Sequence, residues 1–271
     1  MKLGVTSYAF RHLLQDPKDA PSLRSIVELT RAYGLDMLQV CENAHPTKLP
    51  IEDWRDIVQG AGEAGVEIHL GCKTLKIEVL EVHLERVTDT LSKTLRIVLE
   101  EEGEPPPRRS LIEAFLHQAV PMLQKSSLRL AIENHFAIPA QVLAEIVRPY
   151  PSSSVGFCVD TANSLRTFES SEYVLQLLGP RAFCYHIKDY KVTGHSVGFS
   201  VGGAPLGTGD LALDKFLDAV FALDPLPVLF LENWVPSSGS RETDVEADAH
   251  WLHESVLNLR GRLSRRGRIP L

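Results

Sequence analysis

Four apolar runs in the second half of the chain each end on a side chain that binds metals or moves protons. These side chains are Glu133, Asp160, His186 and Glu232. A buried charge is costly unless it is paired or bound to a metal, so four such groups at one place would repel one another without a cation among them. Three carboxylates and one imidazole suit Mn²⁺, Mg²⁺, Co²⁺ or Zn²⁺ better than thiophilic ions. The sequence therefore predicts a divalent-metal site.

Glu133 and Glu232 belong to the first and the last of these four runs. On opposite sides of a bound ligand, two carboxylates could remove a proton on one face and return it on the other. Open coordination positions on the metal would accept substrate oxygens, and the metal would polarise a carbonyl group. We therefore predict that these two glutamates are the catalytic acid/base pair.

The elements that would position these residues repeat along the whole chain. Short β-branched or apolar runs alternate with stretches of helical periodicity, and this alternation is typical of a parallel sheet covered by helices. The eight runs are Lys2–Ser7, Met37–Cys41, Val66–Gly71, Leu95–Glu100, Leu128–Glu133, Val155–Asp160, Ala182–Lys188 and Val228–Glu232. Eight such units predict a (β/α)₈ TIM barrel formed by a single domain over residues 1–271. A doubly wound open sheet is the alternative, but no GxGxxG turn follows the first run.

Side chains on a strand alternate between its two faces, so the neighbouring residues show whether the four predicted ligands can all point into the barrel. If Glu133, Asp160, His186 and Glu232 point into the barrel, the outward positions on the same four strands are apolar, as a helix-covered face requires. The outward residues are Leu130, Ile132, Phe157, Val159, Tyr185, Ile187, Leu229 and Leu231. The four metal-ligand candidates therefore have a consistent phase.

Active sites of such barrels lie at the carboxyl ends of the strands, so neighbouring polar residues there are candidate substrate contacts. We expect Lys188 and His135 to orient the substrate or to stabilise its charge, and Trp234 either to stack on a sugar or to pack at the barrel mouth. The full set of substrate-contact candidates is Tyr8, Glu42, Lys73, His135, Asn163, Lys188 and Trp234.

Two connecting segments interrupt the regular spacing of strands and helices. Residues 100–109 read EEEGEPPPRR and predict a rigid, charged connection. Residues 197–210 read VGFSVGGAPLGTGD and predict a glycine-rich loop at the carboxyl end of the barrel. Loops in this part of a barrel often bind phosphate, although a mobile lid or a plain turn fits the same residues.

Composition limits the class of protein. The net charge of −7 is opposite to that of most proteins that bind nucleic acids. The arginines of residues 260–268 are expected to be solvated, and the four cysteines, which include no CxxC pair, to be buried free thiols. No apolar run is long enough to cross a membrane and no secretory signal is evident, so a cytoplasmic location is expected.

Four short motifs resemble those of the xylose isomerase-like TIM barrel superfamily of sugar isomerases and epimerases. They are IENH at 132–135, VDTAN at 159–163, HIKD at 186–189 and LEN at 231–233. The resemblance implies a divalent metal, most commonly Mn²⁺, held by the glutamate, aspartate, histidine and glutamate of these motifs. It also implies an isomerase or epimerase that acts on a small sugar, sugar phosphate or hydroxy-ketone, with the two glutamates moving the proton through a cis-enediolate. Relatives are often dimers or tetramers, so a homo-oligomer is expected.

The sequence departs from the ketose 3-epimerases of this superfamily at two places. Asn163 stands where they usually have histidine, and no arginine lies between the seventh and the eighth run. A metal-dependent dehydratase of the inosose type is therefore a second interpretation, and a non-catalytic sugar-binding barrel is a third. An apurinic endonuclease is disfavoured, because it would need additional histidine and aspartate ligands and the chain is acidic.

Overall fold

Eight parallel strands close into a barrel in the computed structural model, which describes residues 1–16, 22–100 and 103–269. Around the barrel the strands follow the order β1-β10-β7-β6-β5-β4-β3-β2, and β8 and β9 form a separate two-stranded sheet. The strands are β1 Leu3–Thr6, β2 Met37–Val40, β3 Glu67–Lys73, β4 Thr94–Val98, β5 Arg129–Glu133, β6 Val155–Asp160, β7 Ala182–Ile187, β8 Asp189–His195, β9 Gly198–Ala204 and β10 Leu229–Leu231. The predicted TIM barrel is confirmed.

Helices surround the barrel and cover its outer face. They are α1 Arg11–Leu14, α2 Leu23–Ala32, α3 Ile51–Glu63, α4 Ile77–Thr88, α5 Arg109–Ser126, α6 Ala140–Val147, α7 Ser171–Leu178, α8 Leu213–Leu223 and α9 Arg241–Arg265. Serine side chains cap three of them: Ser22, Ser170 and Ser240 accept hydrogen bonds from the backbone N–H groups of Ser25, Tyr173 and Thr243. Such caps satisfy N–H groups that have no partner inside the helix.

Alternation along the strands separates two apolar regions. The large core between barrel and helices contains all eight predicted outward residues, from Leu130 on β5 to Leu231 on β10. A smaller cluster fills the barrel interior with Met37, Ala131, Cys158, Cys184 and Phe230. Gly4 on β1 is required there, because a Cβ at this position would lie 2.4 Å from the Phe230 ring. The predicted phase of the strands is therefore confirmed.

The glycine-rich segment 197–210 does not form the predicted loop throughout. Gly198–Ala204 is strand β9, which pairs antiparallel with β8. The turn that follows is held by the carboxylate of Asp189, which accepts hydrogen bonds from the backbone N–H groups of Gly207 at 2.8 Å, Gly209 at 3.0 Å and Leu211 at 3.0 Å. The protein's own carboxylate therefore occupies N–H groups that a phosphate bound to this turn would need.

Three smaller features complete the description. Gly34 and Gly65 have positive φ where α2 and α3 end, whereas Gly179 after α7 has φ −55° and begins a 3₁₀ turn. The four cysteines are buried and free, as predicted. Arg266, in the arginine-rich segment, pairs with Asp214 at 2.9 Å and Asp218 at 2.7 Å.

Residues 101–102 of the predicted charged connection lie outside the described residues. Across the described ranges, no helix is long and apolar enough to cross a membrane.

Candidate metal centre and cavity

The four predicted ligands meet at the carboxyl end of the barrel. Glu133 and Asp160 are the last residues of β5 and β6, His186 lies one residue before the end of β7, and Glu232 directly follows β10. Nδ1 of His186 lies 3.2 Å from Glu232 Oε2, 3.4 Å from Glu133 Oε2 and 3.9 Å from Asp160 Oδ2. The structure therefore brings together all four residues that the sequence predicted to converge.

Three of these side chains turn toward one another a ligand atom that makes no hydrogen bond, although Lys188 Nζ forms an ion pair with that of Asp160 at 3.1 Å. Asp160 Oδ2, His186 Nδ1 and Glu232 Oε2 are buried and make no hydrogen bond. Each of the three residues offers a ligand atom, and these atoms lie within 4.8 Å of one another. Buried polar atoms are nearly always satisfied by a partner, and a divalent cation at their centre would satisfy all three at once. The donor set therefore fits a divalent metal ion.

Gln39 on β2 fixes the orientation of the histidine. Its side-chain oxygen lies 2.8 Å from Nε2 of His186. An amide oxygen can only accept, so Nε2 carries the proton in the neutral ring and Nδ1 keeps a free lone pair. Such outer contacts are how proteins aim a metal-binding imidazole. Sequence reasoning missed Gln39, although a polar residue between Leu38 and Val40 on a buried strand was an available signal.

The protonation of the cluster reflects its surplus of negative charge. Burial lowers the pKa of His186, but the carboxylates of Glu133 and Glu232 outweigh this effect and raise it to about 10. Burial also raises the pKa of Asp160, and the two glutamates add to the rise while Lys188 opposes it. Without a metal ion, the imidazolium therefore supplies the positive charge that a cation would otherwise provide.

Glu133 differs from Asp160 and Glu232 because both of its oxygens accept hydrogen bonds. Nε of Arg96 donates to Oε2, and the side-chain amide of Asn163 donates to Oε1 at 2.7 Å. Burial disfavours the ionised carboxylate, but Arg96 and His186 hold the pKa of Glu133 well below its usual value. Arg96 also donates to Glu42 Oε2 at 3.0 Å. Arg96 was missed in the sequence, although an arginine inside the apolar strand β4 was a visible signal.

Lys188 forms ion pairs with the two carboxylates that Arg96 does not contact, those of Asp160 and Glu232. Its Nζ lies 2.6 Å from Glu232 Oε1 and 3.1 Å from Asp160 Oδ2, and it donates to Asn163 Oδ1 at 3.1 Å. The ammonium group also lies 5.1 Å from the centroid of the Trp234 ring, a cation–π arrangement. Although burial opposes the charged form, Asp160 and Glu232 raise the pKa of Lys188. All three N–H groups of Lys188 are therefore engaged within the protein.

A cavity of about 550 Å³ opens above these residues. This volume is within the usual range for small-molecule sites. Its lining includes six of the seven predicted substrate contacts: Tyr8, Glu42, Lys73, His135, Lys188 and Trp234. Asn163 does not line the cavity; it is fully buried and bridges Glu133 and Lys188.

The loop after β5 forms one wall of this cavity. Glu100 accepts hydrogen bonds from His135 Nδ1 at 2.9 Å and from the backbone N–H of Ala137 at 2.8 Å. The ring of Phe136 lies 5.8 Å from that of Trp234. Phe136 and Trp234 give the wall an aromatic surface, and sequence reasoning had not identified Glu100 or Phe136 as part of the site.

Comparison with known proteins supports the assignment of the fold. The family model described as xylose isomerase-like TIM barrel matches residues 70–255. A 3-oxo-isoapionate decarboxylase from Pectobacterium atrosepticum is 23% identical over 259 residues, which cover 94% of each chain.

Solved structures show the same architecture. A D-psicose 3-epimerase from Clostridium cellulolyticum, in a complex with D-tagatose, has a TM-score of 0.72 and 12% identity over 97% of this chain and 98% of its own. A xylose isomerase-like TIM barrel protein from Mycobacterium smegmatis, in a complex with magnesium, has a TM-score of 0.66 and 14% identity over 94% and 96%. At these identities the similarity establishes the fold.

Proposed function

The chain belongs to the xylose isomerase-like TIM barrel family, and from this premise we propose that it is a metal-dependent enzyme that modifies a small sugar or hydroxy-ketone. The reaction class that we propose is isomerisation or epimerisation through a cis-enediolate. One observation carries the proposal. Three ligand atoms that make no hydrogen bond, from Asp160, His186 and Glu232, converge at the floor of a cavity of small-molecule size.

We assign Asp160, His186 and Glu232 as the principal metal ligands because their free atoms face one another. Glu133 completes the predicted set as a weaker ligand, since its oxygens already accept hydrogen bonds from Arg96 and Asn163. A divalent ion bound there, Mn²⁺ in our proposal, would polarise carbonyl and hydroxyl oxygens of the substrate.

We assign proton transfer to Glu133 and Glu232, the two glutamates that flank this centre. Glu133 comes from β5 and Glu232 follows β10, with β6 and β7 between them around the barrel. In spite of burial, neighbouring cations lower the pKa of both groups, so both are ionised at neutral pH and available as bases. We propose that one takes the proton next to the substrate carbonyl and that the other returns it.

A second candidate reaction is decarboxylation of a 3-oxo sugar acid. Loss of CO₂ from such an acid leaves the same enediolate without any base, so only the later protonation needs an acid. Arg96 favours this candidate because it neutralises Glu133 and weakens it as a base. The relative from Pectobacterium atrosepticum, a decarboxylase by its name, matches this chain over 94% of both lengths.

The test is to follow product mass and deuterium uptake. The Mn²⁺-loaded protein is incubated in D₂O with keto sugars and with 3-oxo sugar acids. Isomerisation keeps the atoms of the substrate and introduces deuterium at the exchanging carbon, decarboxylation releases CO₂, and dehydration removes one water. We expect Glu232→Gln to abolish deuterium uptake. Tight binding without turnover of any compound would contradict the proposal and favour a binding protein.

A further inference from the structure

Five cationic side chains line the cavity, and they differ in whether they have a partner. Arg96 and Lys188 are buried and fully paired with carboxylates of the site. The other three are Arg11, Lys73 and Arg166. Within residues 1–16, 22–100 and 103–269, none of these three forms an ion pair or a side-chain hydrogen bond. Elsewhere exposed cations do find partners, as Arg55 does with Asp89 at 3.2 Å and Lys191 with Asp210 at 2.6 Å.

Lys73 is the least exposed of the three unpaired cations. It is the last residue of β3 and is partly buried, whereas Arg11 and Arg166 are exposed. On β3 it lies on the same inward face as Gly71, which pairs in register with Arg96. Lys73 therefore lies one step nearer the cavity mouth than Arg96, and it lines the cavity without an ion-pair or side-chain hydrogen-bond partner among the described residues.

The balance of charge in the cavity indicates what would pair with Lys73. Among the described residues, the five lining cations face five carboxylates, those of Glu42, Glu100, Glu133 and Glu232 in the lining and that of Asp160 directly below it. With a divalent cation bound, the site carries an excess of two positive charges. An anionic substrate would offset this excess, and a neutral sugar would not.

We propose that the substrate is a small sugar acid or sugar phosphate and that Lys73 binds its anionic group at the mouth of the cavity. The inference rests on the proposed function, because it takes the metal centre as the anchor for the other end of the substrate. In this arrangement the keto and hydroxyl groups of the substrate would lie at the metal and its anion at the rim. The aromatic rings of Phe136 and Trp234 would cover the carbon chain.

Binding of three four-carbon probes tests this inference. L-Erythrulose is neutral, L-threonate carries a carboxylate and D-erythrose 4-phosphate carries a phosphate. Calorimetry with the Mn²⁺-loaded full chain should show at least one anion binding about tenfold more tightly than erythrulose, as expected for a charge-assisted hydrogen bond in a partly buried site. Preference for threonate assigns a carboxylate to the substrate, and preference for erythrose 4-phosphate assigns a phosphate.

Variants of Lys73 separate this role from a general structural one. Lys73→Met should remove the preference for the anion and leave erythrulose affinity within about twofold. Lys73→Arg should retain most of the preference for the anion. Lys93→Met is the matched control, because Lys93 is an exposed lysine near the opposite end of the barrel. Equal affinity of wild type for all three probes, or an equal loss for all three in Lys73→Met, would overturn the inference.

Mn²⁺ titration distinguishes failure of this inference from failure of the proposed function. Wild type and Lys73→Met should bind Mn²⁺ equally, since Lys73 makes no contact with the three free ligand atoms. If wild type binds Mn²⁺ but shows no preference for anions, the inference about Lys73 is wrong and the metal centre stands. If wild type binds no Mn²⁺, the proposed function itself is wrong.

Discussion

The two ends of the barrel each contain a buried histidine beside carboxylates, and the ring of Phe230 lies between them. At the carboxyl end, the His186 ring lies 6.2 Å from Phe230, and at the amino end the His69 ring lies 5.0 Å from it. His186 faces three carboxylates, and its Nδ1 makes no hydrogen bond. Within the described part of the chain, His69 forms an ion pair only with Glu67, at 3.1 Å, and Glu67 also pairs with Lys2 at 2.7 Å.

The difference shows that charge balance, and not residue type, separates a functional cluster from a structural one. At the amino end, one carboxylate faces a histidine and a lysine, so its charge is fully compensated by neighbouring side chains. At the carboxyl end, three ligand atoms from three side chains make no hydrogen bond in one buried place, whereas in the pair at the amino end this holds for one atom, Nε2 of His69. The larger group costs more stability unless another group binds there. This imbalance supports our proposal that the carboxyl end receives a ligand.

Replacing each histidine by glutamine should give the largest contrast between the two ends. His186→Gln removes a principal ligand, so Mn²⁺ affinity should fall at least about a hundredfold, and turnover should fall with it. His69→Gln should leave both within about threefold. Titration of each variant with Mn²⁺, followed by electron paramagnetic resonance, measures the effect. A similar loss in both variants would contradict the distinction between the ends.

Removing the Phe230 ring, which lies between the two ends, should destabilise the folded protein. Phe230→Ala leaves a cavity in the barrel interior, and the free energy of unfolding should fall by about 3–5 kcal/mol. Leu226→Ala is the control, because Leu226 is 71% exposed and its replacement should cost less than about 0.5 kcal/mol. Urea unfolding followed by circular dichroism gives both values. A loss below 1 kcal/mol for Phe230→Ala would show that the interior relaxes to fill the space.

The predicted ligands at the carboxyl end of the barrel should differ in how much each contributes to metal affinity. Asp160→Asn removes a free ligand oxygen, so Mn²⁺ affinity should fall about a hundredfold. Glu133→Gln should lower it less than about tenfold, because Arg96 and Asn163 already occupy both oxygens of Glu133. Calorimetric titration with Mn²⁺ ranks the two variants. An equal loss would show that Glu133 leaves Arg96 when the metal binds.

The smallest effect should come from the ion pair at the amino end. The hydrogen bond with His69, opposed by burial and helped by Lys2, lowers the pKa of Glu67 from 4.5 to about 2. A lowered pKa in the folded state stabilises the protein above pH 4.5, and this contribution is lost as pH falls from 4.5 to about 2. Glu67→Gln should therefore cost about 1 kcal/mol at pH 7 and progressively less below pH 4.5.

Thermal unfolding at pH 7 and pH 3 checks this prediction, with Glu63→Gln as the control. Glu63 is an exposed residue of α3 near Glu67 in the chain and accepts a hydrogen bond from Gln59. A destabilisation by Glu67→Gln that is the same at both pH values would show that packing, and not the ion pair, accounts for its effect.

Several features of the site could be predicted because they depend on local periodicity. Alternation along β5, β6, β7 and β10 requires Glu133, Asp160, His186 and Glu232 to share the inward face once the outward residues are apolar. Parallel strands then place their ends at one rim, so the convergence followed from the pattern. The bounds of the strands moved by only a few residues, since turn residues mark where each apolar run stops.

Contacts between side chains that are far apart in the sequence could not be predicted from it. Arg96 on β4 reaches Glu133 on β5 and Glu42 after β2, and Gln39 on β2 reaches across the barrel to His186 on β7. The glycine-rich turn likewise is held by Asp189, about twenty residues earlier, instead of by a phosphate. A periodic pattern specifies the face of a strand but not which side chain across the barrel fills the remaining space.

The sequence by itself determined the barrel, the inward phase of its last strands and the four side chains that meet at their ends, because each depends on the spacing of apolar residues. Only the tertiary structure decided that three of the four keep free ligand atoms while Arg96 and Asn163 satisfy Glu133. It also decided that Lys73 has no partner among the described residues. Whether a buried charge is balanced depends on groups from separate strands, and their proximity is fixed only when the barrel closes.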